Sequence, residues 1–588
     1  MKKLLALVLS LCMMLGCVSL VSAEGKIANV YYGGGTPMSI DPALNSAVNG
    51  MNILSCAFTG LMGYQLVDGE VQLACDLAES YTISEDQLTY TFVLKEGLKW
   101  SDGSDLLASE IQASWDRAGS AELGADYGFL FDYIERDENG KLNIVVDDEA
   151  RTFTVKLVSP TLYFINLCGF PTFYPVKVEL CDNDGIWATN PETYIGTGPF
   201  RMTSYQVDNV ITFERNPYYW DAENVKLDGV NCWLSEDNTA ILTAYENDNA
   251  VYIGSIDPEE YARLQETYPG ELVFGPYIGT WYILFNVYKD LSPVNGKTLT
   301  VQEQSKARFA LGQMINRQDL VDYVTMAGQQ PATGFFPAGL SDGLNADVRT
   351  AEGYGSWYTG TATPSEINPD YTVDCVEALQ TLIDLGYSYT GSIEGGDIVF
   401  TDFPSIEFAF NNSGANAAIM QYVQATWEQF GIIGVINQEA WSTLQVKLKK
   451  GDAESARMGW VADYNDTTNF LEIFISASGN NYPRLGRDIG DYTRATETTQ
   501  DAGVGAYWGD GTQTWAEAYD ALVDQIKATS DLNERAALCA EAEKVLMATG
   551  GVAPMYFYTN PYMCKSNVTG LVMNVLGGVY WNWADIVD

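Results

Sequence analysis

Segments with helical periodicity alternate with segments of strand character along almost the whole chain. The stretch from Val301 to Val324 has an amphipathic helical pattern that is interrupted near Asn316-Arg317, and Met420 to Ile432 has another helical pattern, which is followed by the strand-like IGVINQE. Such alternation predicts an α/β protein with mixed sheets. Because 588 residues exceed what one hydrophobic core usually holds, we expect two or three domains.

Local signals refine this prediction in the first third of the sequence. The segment LTYTFVLKEGLKWSDGS, from Leu88 to Ser104, alternates apolar and polar residues and then turns at Ser101-Asp102-Gly103, as in a hairpin. The segment SEIQASWDRA has apolar residues at helical spacing, and Ser109 is its predicted N-cap. The Gly- and Asp-rich stretch from about Gly486 to Gly511 has the composition of a loop.

The charge balance and the absence of histidine exclude several functions. With 32 basic and 77 acidic residues, a net charge of −45 should repel nucleic acids. Without any histidine, Ser-His-Asp triads, Cys-His catalysis and His-ligated zinc are excluded. Carboxylate-only chemistry, such as glycoside hydrolysis, remains open. The sequence predicts no cofactor and no metal site.

The N-terminus, MKKLLALVLSLCMMLGCVSLVSAEGK, has the pattern of a secretory signal peptide. Cleavage after Ala23, giving a signal peptide of residues 1–23, fits ordinary signal peptidase, whereas MLGC resembles a lipobox that would leave a lipid anchor on Cys17. Both readings predict an extracytoplasmic protein, either secreted, periplasmic or attached to the cell surface. The eight later cysteines are scattered, so any disulfide connectivity stays open.

The stretch GWVADYNDTTNF, from Gly459 to Phe470, places the ionisable Asp463 within a half-buried pattern. A carboxylate is rarely buried without a partner, because its desolvation costs several kcal/mol. Asp463 is therefore either a structural cap of the turn before Asn465-Asp466 or a group whose partner is a ligand.

Five ordered motifs resemble the extracytoplasmic solute-binding proteins of family 5, the peptide- and nickel-binding components of ABC importers. These motifs are SIDPALNSAVNGMNILSCAFTGL (Ser39 to Leu61), LAESYTISEDQLTYTFVLKEGLKWSDGS with its Trp100–Gly103 turn, GTGPF (Gly196 to Phe200) with ERNPYYWD (Glu214 to Asp221), KARFALGQMINRQDLV (Lys306 to Val321) and MYFYTNPYMCKSNVTGL (Met555 to Leu571). Together they cover nearly the whole mature chain.

The resemblance implies an α/β fold of the periplasmic-binding-protein-like type II class (cluster C). In this fold two lobes with mixed sheets are joined by a hinge, and the N-terminal lobe carries an extra subdomain. The predicted boundaries are 24–64, 190–275 and 510–588 for lobe I, 65–189 for the extra subdomain of lobe I, and 276–509 for lobe II.

The segment NQEAWSTLQVKLKKGDAESARMGWVADYN resembles the oligopeptide-binding branch of this family. The resemblance implies that Asp463 binds the ligand's α-amino group, that Arg457 lies near its C-terminal carboxylate, and that Trp441 and Trp460 line side-chain pockets. Internal ion pairing of Arg457 and ordinary core packing of the two tryptophans are the alternatives.

The resemblance also places two loops beside the ligand's main chain. One is Ser46, Ala47 and Val48, and the other lies near Tyr252, Ile253 and Gly254, where the alignment is uncertain by one residue.

This sequence also departs from the family pattern. Some relatives have cysteines where this chain has Gly279 and Val461, so that disulfide is absent here. Some relatives use a histidine near the ligand's C-terminus, and the counterpart here is Asn416. A neutral Asn416 indicates that peptide length is fixed less tightly.

The sequence thus predicts a non-enzymatic receptor that binds oligopeptides and delivers them to the permease subunits of an ABC importer. A monomer is expected, with membrane association through the permease or an anchor at Cys17. The alternatives are a family member that binds a saccharide, an opine or a metal chelate, and a secreted carboxylate-using hydrolase. Peptide length, side-chain preference and the choice between nutrient uptake and signalling stay open.

Overall fold

The computed structural model describes residues 25–67, 70–161, 163–294, 296–411, 415–486 and 514–587. The predicted signal peptide and the candidate lipid anchor at Cys17 lie outside these residues, as does nearly all of the loop predicted from Gly486 to Gly511. The helices of at least four residues are Val48–Ala57, Ala108–Ala118, Phe164–Leu167, Asn238–Glu246, Tyr261–Thr267, Val301–Gln313, Val373–Leu385, Asn416–Glu428, Trp441–Lys450, Thr468–Leu471, Trp515–Ala528 and Leu532–Met547.

Shorter or tighter helical turns complete the helical part of the fold. They are Gly128–Tyr133, Pro171–Phe173, Val178–Leu180, Ile186–Thr189, Pro258–Glu260, Arg317–Asp319, the wider π-type turn Leu320–Thr325, and Glu472–Phe474. The break predicted near Asn316 is present, because the Asn316 side chain accepts a hydrogen bond from the Asp319 N–H, 3.2 Å away, and starts a new turn.

One mixed sheet of eleven strands forms the centre of the described chain. Ten strands follow one another in the order Gly434–Gln438, Ile406–Phe410, Ser455–Val461, Leu272–Phe285, Val552–Cys564, Tyr252–Ile253, Ile27–Tyr31, Gly229–Trp233, Val210–Arg215 and Phe200–Gln206, and Gln330–Pro331 adds to Val552–Cys564. Parallel and antiparallel pairs both occur in it. The predicted α/β class with mixed sheets is confirmed.

Two long antiparallel strands, Leu272–Phe285 and Val552–Cys564, connect the two sides of this sheet. Their pairing runs from Leu272 opposite Met563 to Pro276 opposite Thr559, and it resumes with Thr280 opposite Phe557. Three residues on one strand therefore face Tyr558 alone on the other, which is a bulge. Bulges bend a sheet locally and are common beside functional sites.

Gly279, within this bulge, lies directly opposite Val461 of the neighbouring strand Ser455–Val461. These are the two positions at which the family resemblance placed paired cysteines. Their direct opposition agrees with the sequence alignment around the strand that leads to Asp463.

A separate four-stranded antiparallel sheet lies within residues 78–156. Its strands are Ala78–Ile83, Thr89–Leu94, Thr152–Lys156 and Ile144–Asp147, in that order. Trp115 packs against Phe153 of this sheet, with ring centroids 4.9 Å apart. The sheet falls inside the segment 65–189 that was predicted as an extra subdomain.

The remaining strands form four two-stranded ribbons. Their pairs are Met62–Val67 with Glu70–Cys75, Tyr389–Thr390 with Val399–Phe400, Val568–Thr569 with Asp585–Ile586, and Val572–Met573 with Val579–Tyr580 in a fourth ribbon at the chain's end.

The Trp100–Gly103 turn contacts the GTGPF motif, from Gly196 to Phe200. The Ser101 N–H donates to the Gly196 carbonyl at 2.8 Å, and the Gly196 N–H donates to the Ser101 hydroxyl at 3.2 Å. Gly103 has a φ of +88°, a left-handed conformation that favours glycine. This turn thus joins the small sheet to the segment that begins the strand Phe200–Gln206.

The predicted N-cap at Ser109 is wrong. The helix begins at Ala108, and its first backbone donor is satisfied when the Leu107 N–H donates to the Glu110 carboxylate at 2.8 Å. Ser109 lies inside the helix, where its hydroxyl and N–H both donate to Asp148, at 2.8 and 2.9 Å. A tertiary contact therefore replaces the local cap that the sequence suggested.

All eight cysteines from Cys56 to Cys564 are free thiols. None of the described helices is both long and apolar enough to cross a membrane.

Candidate functional site

A cavity of about 340 Å³ lies where the two long strands meet the strand Ser455–Val461 and the first residues of four helices. Nine of the ten residues predicted from the sequence line it. They are Ser46, Ala47, Val48, Tyr252, Gly254, Asn416, Trp441, Arg457 and Trp460.

The tenth predicted residue, Asp463, lies immediately behind this wall. Tyr127, which lines the cavity, donates from its hydroxyl to Asp463 Oδ1 at 3.3 Å. On the other side Asn469 Nδ2 donates to Asp463 Oδ2 at 2.8 Å. A ligand group would therefore reach this carboxylate by displacing the long hydrogen bond from Tyr127.

The Asp463 carboxylate has no cationic partner among the described residues. Burial raises its pKa from 3.8 to about 7, and the hydrogen bonds from Asn469 and Tyr127 offset only part of that effect. The negative charge of the buried Glu472 raises the pKa further. In the free protein the carboxylate is thus poised between its charged and neutral forms near neutral pH.

Glu472 belongs to a buried network beneath this site. It accepts a hydrogen bond from the Tyr464 hydroxyl at 2.9 Å and pairs with Lys527 at 2.7 Å. The Tyr464 ring stacks on Tyr163, with centroids 4.4 Å apart. Both the hydroxyl and the ring of Tyr464, the residue after Asp463, are therefore held in place. These contacts fix the backbone next to Asp463.

Arg457 is a cation without a carboxylate partner in the described chain. Its Nε donates to Asn411 Oδ1 at 2.9 Å, its Nη2 also donates to that oxygen, and its guanidinium lies 5.0 Å from the centre of the Trp441 ring. Burial lowers its pKa, and nearby Tyr558, Tyr556 and Tyr282 raise it. The internal ion pair considered from the sequence is therefore not found among the described residues.

Asn416 holds this arginine indirectly. It is 6% exposed, its Oδ1 accepts from the Trp281 indole N–H at 3.0 Å, and its Nδ2 donates to the Asn411 carbonyl at 3.1 Å. Since Asn411 in turn receives the guanidinium of Arg457, the amide of Asn416 acts on the position of that cation. Both of its polar groups are already used within the protein.

The two tryptophans have different environments. Trp460 is 7% exposed and donates from its indole N–H to Asn469 Oδ1 at 3.0 Å, so Asn469 links it to Asp463. Trp441 begins the helix Trp441–Lys450, and its backbone N–H donates to Glu236 at 3.1 Å. Trp460 is thus both buried in the core and part of the cavity wall, so the two roles considered from the sequence do not exclude each other.

The loop at Ser46 presents free backbone groups to the cavity. Neither the N–H nor the C=O of Ser46 is hydrogen-bonded within the described chain, while its hydroxyl donates to Asp126 at 2.9 Å. Lys449 also binds the Asp126 carboxylate. At Gly254, which also lines the cavity, the backbone N–H donates to the Tyr31 carbonyl at 2.8 Å.

Apart from Tyr252, the tyrosines of this wall were not predicted from the sequence. Tyr127, Tyr277, Tyr482, Tyr556 and Tyr558 all line the cavity. Tyr556 and Tyr558 lie two apart in a strand, and this alternation could have indicated a shared face. Tyr127 and Tyr482 come from irregular segments and give no such signal.

Comparison with known proteins agrees with the fold. The chain is 28% identical over 566 residues to the oligopeptide-binding protein OppA of Bacillus subtilis, covering 93% of this chain and 90% of that protein. It is 24% identical over 524 residues to the dipeptide-binding protein DppE of the same organism, covering 87% and 83%.

Solved structures have the same fold. The murein tripeptide binding protein MppA of Escherichia coli superposes with a TM-score of 0.77 at 22% identity, covering 96% of this chain and 99% of that one. Haemophilus influenzae OppA in complex with RPPGFSPFR gives the same TM-score, identity and coverage. The predicted two-lobe, type II binding-protein fold is confirmed.

The sequence profile described as bacterial extracellular solute-binding proteins, family 5 Middle, matches residues 72–482, which is more than half of the chain. The match includes the strand and loop that carry Arg457 and Asp463. The chain belongs to the bacterial extracellular solute-binding proteins of family 5.

Proposed function

We propose that this protein is an extracytoplasmic receptor that captures oligopeptides in the cavity and delivers them to an ABC importer. One observation carries the proposal: among the described residues, the Asp463 carboxylate has no cationic partner and the Arg457 guanidinium has no carboxylate partner, and the two lie six residues apart, Arg457 on the strand Ser455–Val461 and Asp463 two residues beyond its end. A zwitterionic ligand supplies both missing charges.

The spacing of the two charges suits a short peptide. A strand rises about 3.3 Å per residue, so the two Cα atoms are at most about 20 Å apart. An extended peptide of up to about six residues has a comparable length, since each residue spans at most about 3.3–3.6 Å. Its ammonium group binds Asp463 and its carboxylate binds Arg457. Charged hydrogen bonds of this kind contribute about 1.5–3 kcal/mol each.

The ligand's main chain pairs with protein backbone between these two ends. The N–H and C=O of Ser46 make no hydrogen bond to other described residues, and both Ser46 and Gly254 line the cavity. An extended peptide adds to such groups as a further strand, which gives affinity without reading side chains. This arrangement explains how one receptor accepts many sequences.

The names of the relatives support the same reading. The similar proteins are oligopeptide- and dipeptide-binding proteins, and one of the similar structures is a complex with a peptide. Binding requires no chemical step, so no catalytic role is proposed. A saccharide, one of the other family ligands considered from the sequence, carries neither of these two terminal charges.

Delivery requires contact with the permease subunits of the importer. We propose that a monomer closes lobe II, residues 276–509, onto lobe I, residues 24–64, 190–275 and 510–588, when the peptide binds. Such closure is a hinge motion biased by ligand contacts on both sides. Lipid attachment at Cys17 would keep the receptor beside the permease, and cleavage after Ala23 would leave it free.

The experiment is calorimetric titration with pools of di- to octapeptides that have free termini, repeated with N-acetylated pools. We expect binding of the free pools and a loss of at least about tenfold on acetylation, the value of one charged hydrogen bond. Asp463→Asn should cause a similar loss, whereas Asp452→Asn, at an exposed site outside the cavity, should not. Equal binding of acetylated peptides would refute the role of Asp463.

A further inference from the structure

The wall of the cavity is rich in aromatic rings and nearly free of charge. Twelve of the residues that line it are Tyr, Trp or Phe, and eight of these are tyrosines. Within the described ranges, Arg457 is the one charged side chain on this wall, although the sequence contains 77 acidic residues. Among the described residues, no carboxylate side chain lines the cavity.

Four of these rings form one continuous surface, which we name the aromatic floor: Tyr277, Trp281, Tyr556 and Tyr558. Tyr277 and Trp281 belong to one long strand, and Tyr556 and Tyr558 belong to the other. Neighbouring ring centroids are 5.7 Å apart for Tyr277 and Tyr558, 5.6 Å for Tyr556 and Tyr558, and 5.7 Å for Trp281 and Tyr556. These separations are those of interacting aromatic pairs.

The Tyr558 side chain packs against two glycines, Gly279 and Gly459. A Cβ atom on Gly459 would lie 2.1 Å from the Tyr558 hydroxyl oxygen, and one on Gly279 would lie 2.8 Å from its ring. Any larger residue at either position would push the ring out of place. The Tyr558 hydroxyl makes no hydrogen bond to other described residues, so it is available to a ligand.

We propose that this cavity selects short peptides with aromatic, uncharged side chains and discriminates against acidic ones, with the aromatic floor as the surface on which a ligand ring packs. This inference rests on the proposed peptide-binding function and specifies its substrate class. Each aromatic pair is worth a factor of about 2–10 in affinity beyond the buried area.

Acidic side chains lack a partner at this wall. The single cation, Arg457, is required by the ligand's terminal carboxylate, and its Nε and Nη2 already donate to Asn411. A second carboxylate would lose its water without gaining a counter-ion, which is unfavourable. The protein's net charge of −45 adds a further repulsion.

Basic side chains take an intermediate rank. They find no carboxylate on the described wall, since Asp463 is engaged by the ligand's amino group. The ring faces of the aromatic floor offset part of the desolvation cost of such a cation, because a cation above an aromatic face is attracted to it. The expected order of preference is therefore aromatic, then basic, then acidic.

The test uses an equimolar pool of synthetic tri- to pentapeptides with free termini, whose internal positions carry Phe, Tyr, Ala, Lys or Glu. The purified protein is incubated with the pool, unbound peptide is removed by size exclusion, and bound peptides are identified by mass spectrometry. We expect Phe and Tyr to be enriched over Glu by about tenfold or more, with Lys between them. A parallel pool with acetylated N-termini is processed in the same way.

Substitutions in the aromatic floor test whether it causes the enrichment of aromatic peptides. Tyr558→Ala should reduce the aromatic enrichment by about threefold or more, and Tyr558→Phe, which keeps the ring, should preserve it. Tyr323→Ala, at a tyrosine that is 75% exposed and outside the cavity, is the matched control and should change nothing.

The outcomes separate this inference from the function on which it rests. Retention of free but not acetylated peptides, without bias in composition or with Glu enriched, overturns the selectivity and leaves the peptide receptor intact. Retention of no peptide in either pool overturns both. An aromatic enrichment that survives Tyr558→Ala removes the floor as its source.

Discussion

The carboxylate of Asp463 should make the ligand-free protein less stable than a variant that lacks it. We consider Asp463→Asn, which has nearly the same shape. Its amide oxygen can accept from Asn469, and its amide nitrogen can donate to the Tyr127 hydroxyl, so both contacts of the carboxylate are replaced. The substitution thus removes the charge and little else.

The magnitude follows from the pKa of this group. Burial raises the pKa of Asp463 from 3.8 to about 7. At about 1.36 kcal/mol for each tenfold change in proton affinity, ionising this carboxylate costs the folded protein up to about 4 kcal/mol above pH 7. Since the side chain is only partly buried, water relieves some of this cost, and about 1–4 kcal/mol is expected.

The sign of the pH dependence is determined by the same values. The folded protein binds this proton more tightly than the unfolded chain does, so the wild type regains stability as the pH falls from 7 towards 4. We therefore expect Asp463→Asn to be more stable than the wild type at pH 8, with a difference that shrinks towards zero near pH 4.

Urea denaturation of both proteins at pH 8, 6 and 4 measures this difference, and Asp452→Asn is the control at an exposed aspartate. Saturating peptide should reverse the order at pH 8, because only the wild type gains the ammonium contact. A variant that is less stable than the wild type at pH 8 would refute the reasoning. That result would mean that the Asp463 carboxylate caps the turn before Asn465-Asp466, which is the structural role considered from the sequence.

Further outcomes are expected at the same site. Peptide affinity should be highest between about pH 7 and 8 and should fall as acid protonates Asp463, whose pKa in the free protein is about 7; calorimetry across pH 5–9 checks this, and a flat profile would contradict it. Arg457→Met should weaken peptides with a free C-terminus by about 1.5–3 kcal/mol and leave C-terminally amidated peptides nearly unchanged, which titration of matched pairs measures. Gly459→Ala should displace Tyr558 and weaken peptide binding by about 1–3 kcal/mol, whereas Gly128→Ala, where the nearest atom to a new Cβ is 3.5 Å away, should bind normally. Equal affinities of the two alanine variants would show that the position of the Tyr558 ring is unimportant.

Local elements of this fold could be predicted because their signals lie close together in sequence. The break in the helix near Asn316 is one example, since the cap and the donor that it satisfies are three residues apart. The ADYN segment is another, because its neighbours in space, Asn469 and Glu472, are also its neighbours in sequence.

The rest depends on contacts between distant parts of the chain. Thr280 lies opposite Phe557, 277 residues later, and no local pattern specifies that register. The hydrogen bond from Arg457 to Asn411 joins the strand Ser455–Val461 to the residue that follows the strand Ile406–Phe410, and no local pattern in the sequence specifies it either. Ser109 shows the reverse case, in which a good local signal was overridden by the distant Asp148.

The bulge in the two long strands has a mechanical consequence. Where three residues face Tyr558 alone, the ladder between the strands loses regular hydrogen bonds, so bending of the sheet concentrates there. A peptide side chain packed on Tyr558 lies on this pivot and changes its stiffness directly. Two peptides of equal affinity would then leave the protein with different amplitudes of opening. The rate of peptide release would then vary independently of peptide affinity.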